Sequence, residues 1–298
     1  MTPAVSPSDS RLSLDGYQPP RILSIAGTDP TGGAGIQADI KSISAMGGYA
    51  MAVVTALVAQ NTRGVLSVHT PPVSFLTEQL DAVSDDVEID AVKIGMLGTS
   101  EITAAVGAWL AGNRQQLVVL DPVMIATSGD RLLSPDAEQA LRDLLPHVAL
   151  VTPNLPELAV LASEPVATGW DEALLQGERV SARYGVTVLV KGGHLDGDSC
   201  PDALVDASPE TEVARVFQLE GPRYPTANTH GTGCSLSAAL ATVMARTGSW
   251  DVALRESTEW LRDSIRTSGH LHVGEGNGPV NHFNMLWTAA GFGATTDD

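Results

Sequence analysis

Residues 21–46, RILSIAGTDPTGGAGIQADIKSISAM, carry the pattern from which the fold is read. The opening run RILSIAG is apolar and rich in branched side chains, as a strand buried on both faces requires. A glycine-rich turn follows, Ala26-Gly27-Thr28-Asp29-Pro30-Thr31-Gly32-Gly33-Ala34-Gly35, and Ala34–Met46 then reads as a helix carrying Asp39 and Lys41. Strand, tight turn and helix form one unit of a parallel α/β sheet.

The unit recurs along the chain. AMAVVTALV (50–58), AVKIGML (91–97), QLVVLDP (116–122), VALVTPN (148–154) and VTVLVKGG (186–193) each read as a buried strand ending in turn residues. Between them the helix candidates are Val73–Asp85, Ser100–Leu110, Ser134–Leu145, Leu155–Ala162 and Trp170–Tyr184, several opened by Ser, Asn or Pro. Asp202–Ala207, Arg215–Leu219 and Gly221–Pro225 are short and polar-flanked, and read as edge strands or a hairpin before a final helical pair, Gly233–Arg246 and Trp250–Ser268. The alternation predicts a mostly parallel sheet with helices on both faces and a ligand crevice at the carboxyl ends of the strands. One domain over 21–287 is expected, after a Ser/Pro-rich disordered leader (1–20) and before a flexible tail (288–298).

Composition excludes several function classes. With 17 basic against 35 acidic side chains in 298 residues, a net charge of −18 and no Lys/Arg run, the chain lacks the basic patch that nucleic acids or anionic membranes demand. An anionic ligand would need a locally positive site built from backbone amides, a lysine or a metal ion. Cys200 and Cys234 make neither a CxxC pair nor a zinc-ligand spacing, which fits a reducing cytoplasm. The longest apolar stretches, near Ala50–Ala59 and Leu236–Ala245, are about half the length a spanning helix needs. The N-terminus lacks the basic start and apolar core of a signal peptide.

Asn228-Thr229-His230-Gly231-Thr232-Gly233-Cys234-Ser235 runs directly into the apolar helix LSAALATVMA. Small residues there let successive amides converge where the helix dipole supplies about half a positive charge, which suits a phosphate or developing oxyanion. A turn serving only as a cap is the other reading, and both stand at this point. Cys234 lies in the same first turn, where the dipole favours a thiolate able to act as base or nucleophile; a small buried thiol is the alternative.

The first glycine loop is not a Walker A loop, because Gly-Lys-Ser/Thr is missing. Asp39, one helical turn beyond it, is read either as an acceptor for a ring amino group or as a surface carboxylate. Asn154 and Glu157 in TPNLPE form nearly a capping box, so Glu157 serves a backbone amide or a water-bound Mg²⁺. Asp121 and Lys191 each end a strand where a ligand would lie, and Lys191 supplies a point charge suited to phosphoryl transfer. Gln60 and Asn61 complete the rim, an amide there suiting a pyrimidine edge. The histidines outside the GTGC turn (His69, His147, His194, His270, His272, His282) show no metal spacing and are read as surface or capping residues. His230 is open between phosphate contact and a structural hydrogen bond.

In order and almost continuously from Arg21 to Phe283, AGTDPTGGAGIQADIK, TALVAQNT, KIGML, DPVM, TPNLPE, VKGGH, NTHGTGCSLSAAL and VGEGNGPVNHF resemble the bacterial hydroxymethylpyrimidine/phosphomethylpyrimidine kinases. The resemblance stops about fifteen residues before the end, and no second catalytic domain is expected beyond it. It implies a ribokinase-like three-layer α/β/α sandwich, usually a homodimer, using Mg²⁺ with ATP as co-substrate, a monovalent cation being an open addition. Gln60, Asp39 and the backbone near Gly27 would hold the pyrimidine ring, with Met96 and Val123 along its apolar sides. Asp121 and Glu157 match the metal ligands, Asn154 and Lys191 the ATP phosphate region, and Thr229, Gly231, Thr232 and Gly233 the anion hole. Many ribokinase relatives carry an aspartate base after the last glycine of this turn; here Cys234 stands in its place and would take the alcohol proton. The implied chemistry is phosphorylation of 4-amino-5-hydroxymethyl-2-methylpyrimidine and then of its monophosphate, in thiamin biosynthesis. A Cys234 base would matter for the first step alone, because a monophosphate is already largely ionised at neutral pH. Ala126-Thr127-Ser128-Gly129-Asp130 is expected to act as a flap over the site. The rival readings are a pyridoxal kinase on the same scaffold and a non-catalytic pyrimidine sensor.

Overall fold

Side chains alternate between two helical layers along each central strand, and this alternation builds the molecule. The computed structural model describes residues 16–112, 117–124, 137–208 and 214–292. In β1 (Arg21–Ala26) Ile22 packs on one face while Leu23 and Ile25 pack on the other; in β8 (Thr187–Lys191) Leu189 opposes Val188 and Val190 in the same way. The first face is covered by α1 (Gly35–Ala45), α7 (Thr232–Thr247) and α8 (Trp250–Arg266), which contribute Ile43, Leu236, Leu240, Leu254 and Trp260. The second is covered by α2 (Val73–Ser84), α3 (Ser100–Gly112), α4 (Ala137–Leu144), α5 (Leu155–Ala162) and α6 (Trp170–Tyr184), through residues such as Leu80, Val106, Leu141, Leu158 and Val180. The result is the expected three-layer α/β/α sandwich.

With β2 (Tyr49–Val54), β5 (Ala91–Ile94), β6 (Leu117–Leu120), β7 (Leu150–Val151), β9 (Asp202–Asp206) and β10 (Arg215–Leu219), the eight-stranded sheet runs β10-β9-β8-β7-β6-β5-β1-β2. Strands β2, β1, β5, β6, β7 and β8 are parallel, and β9 pairs antiparallel with both β8 and β10. The chain steps from β1 to β2 on one side and returns to place β5 on the other. This reversal opens a crevice above the carboxyl ends of β1 and β5, the place where doubly wound sheets bind ligands.

Four expectations differ from the structure. The run 50–58 is not one strand: β2 ends at Val54, and β3 (Leu57–Asn61) pairs antiparallel with β4 (Gly64–His69) in a separate two-stranded ribbon. The break follows from Thr55, whose amide donates to Ala26 O at 3.0 Å and whose hydroxyl donates to Met96 O at 2.6 Å, tying the chain to two strand ends. Gly221–Pro225 forms no strand, only a single bridge between Ser199 and Pro222. Residues 17–20, assigned to the leader, engage the domain: Tyr17 Oη donates to Gly47 O at 2.6 Å, and Pro20 is buried and accepts from Tyr49 N. At the other end α9 (Asn284–Ala289) runs two residues past the expected boundary at 287. The expected flap at 126–130 lies outside the described residues.

Candidate active site

The crevice holds a cavity of about 750 Å³ whose two sides come from opposite ends of the sequence. One side is the first glycine loop with β3 and the end of β5, giving Gly27, Gln60 and Met96; Val123 follows β6. A Cβ at Gly27 would overlap the Met96 methyl, so a side chain there would displace Met96 from this wall. The other side is the GTGC turn. Gly231, at φ +78°, is the N-cap of α7, a conformation that glycine adopts without steric cost. A Cβ there would overlap the Gly33 carbonyl, so the two glycine loops touch backbone to backbone.

The first turn of α7 faces two charged groups from the sheet. A Cβ built on Gly233 would lie 3.4 Å from Asp121 Oδ2 and 3.6 Å from Lys191 Nζ. Asp121 at the end of β6 is nearly buried, accepts from Thr152 Oγ1 at 3.0 Å and lies 3.6 Å from Lys191 Nζ. Asn154, Thr229 and Thr232 line the same space.

Glu157 forms the cap and also reaches the cavity. Its amide donates to Asn154 Oδ1 and its Oε2 accepts from Asn154 N, each at 2.9 Å, completing the capping box of α5. Its carboxyl also lines the cavity, with Oε1 3.4 Å from the Met124 amide. Burial pushes it up to about 7; Lys191 works against this and the Asp121 charge adds to it. Two carboxylates confined beside one lysine fit a hard divalent cation, whose charge would relieve that strain. Among the described residues no cluster of three or more acidic, His or Cys side chains offers a full protein cage, so such an ion would complete its shell with phosphate oxygens and water.

The profile of the Phosphomethylpyrimidine kinase family matches residues 29–281. The chain belongs to that family. It is 50% identical over 266 residues to the hydroxymethylpyrimidine/phosphomethylpyrimidine kinase of Escherichia coli, covering 89% of this chain and 98% of that protein. It is 56% identical to the thiamine biosynthesis multifunctional protein ThiED of Corynebacterium glutamicum over 89% of this chain, but spans only 34% of that longer protein. Among solved structures, an ADP complex of Bacillus subtilis pyridoxal kinase superposes with a TM-score of 0.80 at 30% identity, over 90% of this chain and 99% of that one.

Two roles expected of a phosphomethylpyrimidine kinase site do not fit the structure. Asp39 does not reach the cavity: it has no exposed surface, and both oxygens accept from Lys93 Nζ at 2.9 Å while Ser24 Oγ donates to Oδ2 at 2.6 Å. Burial opposes charge on both partners and pushes the Asp39 carboxyl up, but the attraction of Asp39 and Asp121 holds Lys93 above its ordinary value, and two short bonds from the ammonium favour the ionised pair. Cys234 lines the cavity, but its thiol is pushed up to about 11 by burial; Lys93 opposes the rise and Asp121 and Asp39 add to it. At neutral pH it is a thiol, and the thiolate expected from the helix dipole is outweighed by desolvation.

Other groups emerge only from the fold. Asp202 sits opposite Lys191 in the β8–β9 register and lines the cavity; burial pushes it up to about 6 against the pull of Arg262 and Lys191. His282, read as a surface residue, is 4% exposed, and its Nε2 meets Ser235 Oγ at 2.9 Å under the GTGC turn. Burial lowers it to about 3, with Lys41 adding to the effect, so it is neutral. Its place in VNHF, within the resemblance, was the available signal. Lys93 stood in KIGML, but a lone lysine within a strand does not reveal its partner.

Proposed function

We propose that this chain transfers the γ-phosphoryl group of ATP to the hydroxymethyl oxygen of 4-amino-5-hydroxymethyl-2-methylpyrimidine, and then a second phosphoryl group to the monophosphate, in thiamin biosynthesis. The observation that carries phosphoryl transfer is the meeting at Gly233 of the α7 N-terminus, Asp121 and Lys191. Preference for the pyrimidine over pyridoxal is supported by the match to nearly the whole Escherichia coli kinase, at higher identity than to the pyridoxal kinase fold neighbour.

In this reading Gln60 and the backbone near Gly27 hold the ring, while Met96 and Val123 close its apolar sides. The hydroxymethyl oxygen attacks in line: its bond to the γ-phosphorus forms as the bond to the β,γ-bridging oxygen breaks, and ADP leaves with the electron pair. Amides from Thr229 to Gly233 and the Lys191 ammonium neutralise charge that spreads onto the transferred oxygens. A loose transition state asks little of a base, so the Cys234 thiol packs against the hydroxymethyl group and the proton passes late to an oxygen of the transferred phosphoryl group. Mg²⁺, held by Asp121 and Glu157, would neutralise phosphate charge. The protein acts as a cytoplasmic homodimer in which the β3–β4 ribbon, with Leu57, Leu66 and Val68 exposed, supplies apolar surface. Among the described residues no helix is long and apolar enough to cross a membrane.

The test is ATP-dependent phosphorylation of hydroxymethylpyrimidine, its monophosphate and pyridoxal side by side, with products followed by mass and potassium varied. Turnover of both pyrimidines well above pyridoxal is expected. Preference for pyridoxal overturns the substrate assignment, and binding without turnover overturns the kinase reading.

A further inference from the structure

Asp29 opens the first glycine loop and has no exposed surface. Its oxygens accept from Thr31 N at 2.9 Å, Thr31 Oγ1 at 2.8 and 3.0 Å, Gly33 N at 3.1 Å and Ala34 N at 2.8 Å, so the carboxylate ties its own loop together. Two further contacts leave the loop: Gln60 on β3 lends the carboxylate a hydrogen bond, and His230 Nε2 meets Asp29 Oδ2 at 2.8 Å, across 201 positions of sequence. Burial alone would raise this carboxyl. Hydrogen bonds led by His230, with Gln60 and Thr31, outweigh it and hold Asp29 well below the usual carboxylate range. The acceptor is therefore an anion, and Nε2 carries the proton.

His230 immediately precedes Gly231. Its ring packs so closely on Gly33 that a Cβ there would lie 2.6 Å from Cδ2, and its own amide donates to Gly278 O at 3.1 Å. The GTGC turn is thus held from below by His282 through Ser235, from behind by Gly278, and from the first glycine loop by the imidazole, by the backbone contact of Gly231 with Gly33 and by a hydrogen bond from the Gly35 amide to Cys234.

We propose that the Asp29–His230 pair is a latch between the two glycine loops: Asp29 fixes His230, and His230 holds the Thr229–Gly233 amides aimed at the phosphoryl group in flight. His230 is a positioning residue that acts through the turn. The proposal rests on reading that turn as the phosphate site. Asp29 keeps its four bonds within the loop when the imidazole is removed, so variants at His230 retain the first loop and are the ones to make.

The bond runs through Nε2, and this gives a discriminating series. A glutamine amide reaches as far as Nε2, whereas an asparagine amide reaches only as far as Nδ1. His230→Ala and His230→Asn should lower kcat about 100-fold, the scale of a misplacement of about 1 Å, with KM for the pyrimidine little changed because Gln60 and Met96 stand on other elements. His230→Gln should recover kcat to within about fivefold and keep the wild-type pH profile. Hydrogen exchange at Thr229–Gly233 in the unliganded protein should quicken in the Ala and Asn variants and not in Gln.

Wild-type rates in His230→Ala, equal behaviour of Asn and Gln, or unaltered exchange in a slow Ala variant would each overturn the latch. A Gln variant as slow as Ala would also overturn it, and would give the imidazole a role in proton transfer. Because exchange is read without substrate, it decides the latch even if the wild-type protein phosphorylates neither pyrimidine, a result that would sink the proposed function alone.

Discussion

Replacing Glu157 by glutamine should make the free protein more stable while disabling it. Glu157 is 6% exposed and raised from 4.5 to about 7 by burial and by the neighbouring Asp121 charge, with Lys191 opposing. A folded-state value above the unfolded one means that the native carboxyl holds its proton more tightly. The penalty is therefore absent below about 4.5, where both states are protonated, grows as pH rises, and is complete above about 7, where it amounts to about 3 kcal/mol. Glutamine carries no charge at any of these pH values. Its carbonyl can still accept from Asn154 N, so the cap survives, but the weak contact to Met124 N at 3.4 Å is lost, at a cost of about 1 kcal/mol. The net expectation near pH 8 is a gain of about 2 kcal/mol, read as a rise in Tm of about 5 °C without nucleotide. Near pH 5 the gain should vanish, because wild-type Glu157 is then protonated too. Scanning calorimetry of both proteins at the two pH values measures the difference, and turnover with Mg·ATP should fall by at least about 100-fold. A Tm change that is the same at both pH values would refute the argument, since the carboxylate would then not be strained by its surroundings.

Cys234→Ser should slow both phosphorylations alike, by less than about tenfold, because a thiol raised to about 11 is already protonated at neutral pH; a loss confined to the first step would restore the base role. Lys93→Met should cost about 3 to 5 kcal/mol in urea unfolding by stranding the buried Asp39 charge, and the double variant Lys93→Met with Asp39→Asn should recover most of it. Equal stability of single and double variants would show that the pair is not ionised.

The layers were legible because each central strand is buried on both faces, and because a glycine, proline or asparagine punctuates nearly every strand end. The bounds of α5 and α6 coincide with the helices expected at Leu155–Ala162 and Trp170–Tyr184. The ribbon of β3 and β4 was hidden in an apolar run that continues past Val54, since nothing local reports that the Thr55 hydroxyl will be claimed by Met96 O. In the site, Gly27, Gln60, Met96, Asp121, Glu157, Lys191 and the GTGC turn gather around one cavity. Asp39 escaped correct reading because a carboxylate one turn into a helix looks the same whether it faces a ligand or a lysine 54 positions away on a buried strand. Cys234 stayed open between base and buried thiol for a different reason: the helix dipole is visible in the sequence, and the desolvation that opposes it is not.

The charge of −18 makes sense of how the site is assembled. A protein of that sign repels a nucleotide, so the cavity has to be positive where phosphates arrive. Lys93 does not provide this, since its charge is spent on Asp39. Lys191 is shared with Asp121 at 3.6 Å, and Glu157 is only half ionised near pH 7 because burial disfavours its charge and the Asp121 carboxylate adds to this. The N-terminus of α7 adds positive potential there, with Gly231 placed where a Cβ would overlap the Gly33 carbonyl, and the Arg223 guanidinium, which donates to the Gly193, Leu195 and Gly197 carbonyls, lines the same cavity. With Glu157 strained beside Asp121 and a helix N-terminus facing them, the cavity would suit a triphosphate that arrives with its own divalent cation, the carboxylates taking the cation and the amides the anion. The same strain on Glu157 that weakens the free protein would thus favour a nucleotide bound with its metal.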